Sequence, residues 1–174
     1  MTQLRPAQFS DHITIAKLHA ASWQRTYRGI FSDHFLDHEV EENRTKVWHD
    51  RLQAPAANQR VTVAVQDEKI IGFACLFLGD DPAFGSLLDN LHVSFTLQKS
   101  GVGKLLMKNC ASIIQKESNS GKMYLWVYEQ NVNARAAYDR LHGKSVEIIE
   151  KENAEDGSKA RICRYVWEDA SVIG

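Results

Sequence analysis

The chain has 174 residues, 44 % of them hydrophobic and 25 % charged, with a formal net charge of −1. These values describe an ordinary soluble globular chain, long enough for one domain over residues 1–174 with a single buried core, and they exclude a disordered one. No basic stripe runs along the sequence, so nucleic acid is not an expected partner, and no apolar run approaches the ~20 residues that a membrane span needs.

In chain order, Gln3–Arg5 reads as a short strand stopped by Pro6, and Ser10 or Asp11 caps a helix to about Trp23. Gly29 interrupts the pattern, and Ile30–Leu36 reads as a loop or short helical turn. Glu39–Leu52 is rich in helix formers and ends ahead of Pro55. The period then changes. Val61–Val65 is β-branched, Asp67-Glu68-Lys69 is a turn, and Ile70–Leu78 is a second strand, together a hairpin. Loop chemistry at Gly79-Asp80-Asp81-Pro82 precedes a strand at Leu87–Val93. A helix from Gly101 carries Val102, Leu105, Leu106, Cys110, Ile113 and Ile114 at core-facing spacing and ends near Ser118–Gly121. Met123–Tyr128 is a strand. Asn131 caps a further helix with Ala134, Ala137, Tyr138 and Leu141 on one face, closed by His142-Gly143. Ser145–Glu150 and Ile162–Trp167 are the last strands. The order β-α-α-β-β-β-α-β-α-β-β predicts a mixed α/β (α+β) fold.

Cys75, Cys110 and Cys163 are odd in number and far apart. That spacing argues against a disulfide framework and a zinc site, and the three read as small buried hydrophobes in a reducing compartment. No apolar targeting segment follows Met1. The expectation is a cytoplasmic protein without a metal or a membrane partner.

The chemistry concentrates between Leu91 and Lys104, where a strand, a short loop, Gly101-Val-Gly103 and an amphipathic helix follow one another. A helix N-terminus leaves its first amides without intrahelical partners and carries partial positive charge. Glycines there let a ligand approach the backbone, so the segment reads as an anion site that fits a diphosphate, with Lys99 and Lys104 adding charge. A Walker loop is disfavoured because Gln98 and Leu105 stand where Gly and Ser/Thr are needed. A dinucleotide fingerprint is disfavoured because Leu106 stands where its third glycine would be. A glycine pair that only tightens the entry to a helix is the alternative.

The pattern that does fit is Q/R-x-x-G-x-G/A, matched by Gln98, Gly101 and Gly103. It resembles the pyrophosphate loop of the Gcn5-related N-acetyltransferase (GNAT) family. The later run Asn131-x-x-Ala134-x-x-x-Tyr138-x-x-Leu141-x-Gly143 resembles the same family's N-x-x-A-x-x-x-Y-x-x-L-x-G segment. Trp23-x-x-Thr26-Tyr27-x-Gly29 is similar to a W-x-x-T-Y-x-G segment of uncharacterised bacterial members. The resemblance implies a mixed, mostly antiparallel sheet of six to seven strands flanked by about four helices, with strands 4 and 5 splayed.

The resemblance also implies roles. Acetyl-CoA would be the co-substrate, its pantetheine arm pairing with the backbone of Leu91, His92 and Val93. Its diphosphate would lie on Gln98, Lys99, Ser100, Gly101, Val102, Gly103 and Lys104. Asn131 would offer its amide to pantetheine, though a plain N-cap serves equally. Tyr138 would protonate the leaving thiolate, its alternative being a core aromatic. Candidate bases are Asp89, His92 and Glu129. Asp89 shares strand parity with Leu87, Leu91 and Val93, while His92 alternates to the other side. Some members that acetylate ribosomal-protein N-termini carry a glutamate where this chain has Trp126. Trp23 and Tyr27, four apart, either wall an acceptor pocket or pack as an aromatic pair. The implied activity is acetyl transfer to a primary amine of a small molecule or peptide in a ternary complex. A non-catalytic CoA-binding sensor or interaction module on the same fold is the alternative, and a homodimer is a common state in the family.

Overall fold

The computed structural model describes residues 1–97 and 100–174. Seven strands form one sheet in the order β1-β2-β3-β4-β5-β7-β6. They are β1 (Gln3–Pro6), β2 (Gln59–Gln66), β3 (Lys69–Asp81), β4 (Gly85–Val93), β5 (Met123–Tyr128), β6 (Lys144–Glu152) and β7 (Lys159–Trp167). The helices are α1 (His12–Thr26), α2 (Val40–Gln53), α3 (Val102–Glu117) and α4 (Val132–Arg140). Every neighbouring pair is antiparallel except β4 and β5.

Alternation along the strands builds two cores. On one face Val61, Val63, Phe73 and Cys75 pack under Ile15, Ala16 and Trp48 of α1 and α2. On the other, Ala64, Ala74, Leu76, Leu88, Leu125 and Cys163 meet Val102, Leu106, Cys110 and Ile114 of α3, with Tyr138 and Leu141 of α4 alongside. A third cluster joins Trp23 to Phe31, Phe35 and Leu36 in the connection between α1 and α2. That connection is tighter than a loop: a wide helical turn at Phe35–Glu39 runs straight into α2.

Two features shape the site. The parallel β4–β5 register holds only at Ser86↔Met123 and Leu87↔Tyr124, beyond which the strands part, so the expected splay is present. β4 also bulges where Leu76 faces Leu88 and Cys75 faces Asn90, leaving Asp89 as the extra residue. All three cysteines are free and buried. Among the described residues no helix is long and apolar enough to cross a membrane.

Candidate functional site

The parting of β4 and β5 opens a cleft of about 1600 Å³. Its walls come from β4 (Leu87–Val93), the start of α3 (Gly101, Gly103, Lys104), β5 (Leu125–Tyr128), the start and inner face of α4, and α1 and α2 on the far side. On its cleft side β4 has no strand partner past Leu87 among the described residues, so the backbone of Leu91–Val93 presents a row of open donors and acceptors.

Gly101 caps α3 in the left-handed region (φ +89°), where a side chain would be strained but would meet no atom within 4 Å. The first intrahelical bond runs from the Leu105 N–H to Gly101 O, so the amides of Val102, Gly103 and Lys104 precede it. A Cβ on Gly103 would sit 3.8 Å from Val93 and 3.9 Å from Leu91, ordinary contact. The packing of the fold therefore does not require a glycine at 103. This geometry suits a diphosphate held by amides. Ser100, also of that expected loop, turns its N–H and its hydroxyl to Leu97 O, and Gln98 and Lys99 lie outside the described residues.

Asn131 caps α4: its Oδ1 accepts the Ala134 N–H at 3.3 Å. The cap uses only the carbonyl oxygen, so the side-chain amide of this cleft-lining residue stays available to a ligand. Tyr138, two turns on, also lines the cleft and packs beside Tyr165 and Trp167. Burial pushes its phenol pKa up, with Tyr27 adding to the effect, so the hydroxyl keeps its proton throughout the neutral range.

The three expected bases fare differently. Glu129 pairs with Arg161 at 3.2 Å and is not part of the cleft wall. Asp89 does line the cleft, but strict parity with Leu91 and Val93 fails at the bulge. Its carboxylate turns to α2, taking a bond from Arg51 Nη1 at 2.7 Å, while Leu91 and Val93 pack toward α3. His92 faces α1, its Nδ1 2.8 Å from Ser22 Oγ and its ring 4.4 Å from that of His19.

His19 was not singled out in the sequence, where it stands as an isolated histidine on a helix. It is 1 % exposed, accepts the Trp48 indole N–H at 3.0 Å, and leaves Nε2 buried without a partner. Burial lowers its pKa well below the usual histidine range, with His92, Arg44 and Arg51 adding to the shift. Burial lowers that of His92 to about 3, helped by Arg44. Both imidazoles are neutral at pH 7.

The aromatic pair is packed and also lines the cleft. Trp23 stacks on Phe31 at 4.8 Å and packs edge-on to Tyr27 at 5.5 Å. Tyr27 in turn meets Tyr128 at 4.9 Å, and all three of Trp23, Tyr27 and Tyr128 line the cleft. Arg44 and Arg51 of α2 reach the same wall, as does Glu155 beyond β6. These charged residues carry no sequence motif and became visible only when α2 was laid against the sheet. Among the described residues no cluster of three metal-ligating side chains occurs.

An uncharacterized N-acetyltransferase of Bacillus subtilis (strain 168), YuaI, is 27 % identical, with 99 % of this chain and 96 % of that protein aligned. The fold is similar to that of PaiA N-acetyltransferase from Thermoplasma acidophilum in complex with coenzyme A, with a TM-score of 0.74 and 22 % identity over 96 % of this chain and 99 % of that one. Arabidopsis thaliana NAA60 in complex with acetyl-CoA gives a TM-score of 0.71 and 17 % identity over 96 % and 98 %. The sequence profile of the acetyltransferase (GNAT) family matches residues 20–143, from the middle of α1 through the end of the α4 motif. With that match over more than half its length, on this fold, the chain belongs to the GNAT family of acetyltransferases.

Proposed function

We propose that the protein transfers an acetyl group from acetyl-CoA to a primary amine of a small molecule or peptide, by direct attack within a ternary complex. The observation that carries this reading is the split β4–β5 seam, whose one cleft joins an open strand edge, the free amides of α3 and the Tyr138 hydroxyl. The residues fit such a donor. The amides of Val102, Gly103 and Lys104 hold its diphosphate, Leu91–Val93 pair with its extended arm, and the Asn131 amide bonds that arm farther along.

A thioester, when bound, supplies an activated acetyl group and a sulfur leaving group. Tyr138 keeps its proton at neutral pH and delivers it to the departing sulfur. Asp89, on the acceptor-side wall, receives the amine's proton. Trp126 stands where a carboxylate would serve a ribosomal-protein acetyltransferase, which favours a different acceptor. Three free, buried thiols support a cytoplasmic setting.

The test pairs two measurements. Acetyl-CoA at a hundred times its Kd should stabilise the native state by about 2.7 kcal/mol, with no comparable effect of ATP and magnesium. Thiol release should then follow on adding an amine. Stabilisation without release from any amine or peptide would assign the chain to the non-catalytic CoA-binding class. No stabilisation at all would overturn both readings.

A further inference from the structure

We propose that the acceptor is a small amine that also carries a carboxylate, as a free amino acid does, and that Arg44 and Arg51 hold that carboxylate. The inference rests on the acetyl-transfer reading above and names the substrate class of that site.

Arg44 and Arg51 are seven apart on α2 and so share one face, which both present to the cleft. Arg44 is only 7 % exposed, and a buried guanidinium is costly unless its donors are met. Its Nε and Nη2 bond Asn43 Oδ1, Nη2 also reaches Glu155 Oε1 at 3.2 Å, and its plane lies 4.3 Å over the Trp23 ring. Its Nη1 has no hydrogen-bond partner among the described residues, yet it is not among the side-chain atoms sealed from solvent. Arg51 repeats the arrangement. Nη1 serves Asp89 Oδ2 at 2.7 Å and Asn90 Oδ1 at 3.0 Å, while Nε and Nη2 have no partner among the described residues and are likewise unsealed. Each guanidinium is thus fixed by one carboxylate of the protein, and each belongs to a cleft-lining residue with unpaired N–H donors open to solvent. Planar guanidinium forks match carboxylates in geometry as well as charge.

The tip between β6 and β7 is tied to this wall. Glu155 ties that tip to Arg44, Asp156 Oδ2 accepts the Ser32 N–H at 2.6 Å, and Tyr128 donates to Asn153 Oδ1 at 2.6 Å. These bonds fix Glu155 in the cleft wall beside Arg44, and Asp89 lies 2.7 Å from Arg51, so one small molecule spans the carboxylate and amine positions. With the carboxylate on the two arginines, Asp89 is left to face the amino group. The amine nitrogen bonds to the acetyl carbon as the carbon–sulfur bond breaks. The amine loses one proton and the thiolate gains one.

The experiment compares kcat/KM, by thiol release with acetyl-CoA, for free L-amino acids, their carboxamides, the corresponding decarboxylated amines and short peptides. The free acids should exceed their carboxamides by about a hundredfold or more, because the amide leaves a guanidinium unmatched. Arg51→Gln should shrink that ratio at least about tenfold while acetyl-CoA still raises the melting temperature, and Arg44→Lys should shrink it in the same direction. Turnover of carboxamides, decarboxylated amines or peptides as well as the free acids would overturn the inference and leave acetyl transfer standing. Failure of every amine, with acetyl-CoA bound, would overturn both.

Discussion

At Tyr138 the packing and the proposed acid role rest on the same burial. Its ring lies against Tyr165 and Trp167, and the same burial that packs it keeps its hydroxyl protonated. Tyr138→Phe keeps the ring and removes only the hydroxyl. It should lower kcat about 10²-fold or more while the acetyl-CoA stabilisation stays intact. Equal losses in both would remove the acid role. The end of the α4 motif makes a different point. His142, not Gly143, takes the left-handed conformation that turns the chain (φ 66°). Gly143 is small because a Cβ there would sit 2.5 Å from Trp167 Cζ2. Gly143→Ala should therefore cost about 1–3 kcal/mol in urea unfolding, whereas His142→Gly should be neutral or mildly stabilising. The reverse order would mean that the turn, not the indole contact, demands the glycine.

At the scale of elements, the start of α3 separates fold from function. Gly103 occupies a helical position with room for a methyl group, so Gly103→Ala should hold or raise stability by up to about 1 kcal/mol. The same methyl stands where a diphosphate would lie against the backbone, and affinity for coenzyme A, read by calorimetry, should fall. Unchanged affinity would move the diphosphate elsewhere. Much at this scale was legible beforehand. Met123–Tyr128 falls on the bounds the sequence indicates, and the other strands and helices differ by a few residues at their ends. Hydrophobic periodicity and capping are local signals, and they survive folding. What could not be read was non-local. The bulge at Asp89 depends on how β4 registers against β3, so alternation counted along β4 alone put Asp89 with Leu91 and Val93. Glu129 is next to a cleft residue in sequence but is drawn off by Arg161 from β7. Arg44 and Arg51 belong to no motif, and only the packing of α2 on the sheet brings them to the cleft.

For the molecule as a whole, the neutral imidazoles beneath α1 make stability depend on pH in a defined sense. His19 and His92 bind protons less readily folded than unfolded. Below about pH 6.5 the unfolded chain takes up protons that the native state refuses. Their contribution is therefore complete above pH 6.5 and is lost as pH falls, for His92 down to about 3. Each fully shifted histidine accounts for about 1.4 kcal/mol per pH unit in that window. Between pH 7 and 5 His92 should contribute a loss of about 2 kcal/mol, and His19 a loss in the same direction. His19→Asn, which retains an acceptor for the Trp48 indole, should flatten the dependence of urea midpoints on pH and leave the His92 share in place. A slope equal to that of the unaltered chain would place the titrating groups elsewhere.

The parting of β4 and β5 has a mechanical consequence. Across the described residues the β1–β4 half and the β5–β7–β6 half are stitched through the sheet by two register pairs alone, Ser86↔Met123 and Leu87↔Tyr124. An extended donor arm lying along the open edge would act as the missing rung of the ladder, bonded to one half while packing on the other. The co-substrate would then be a removable rivet. Each turnover would end with the spent donor leaving and the two halves regaining their freedom to breathe, tying the opening of the molecule to the release of its product.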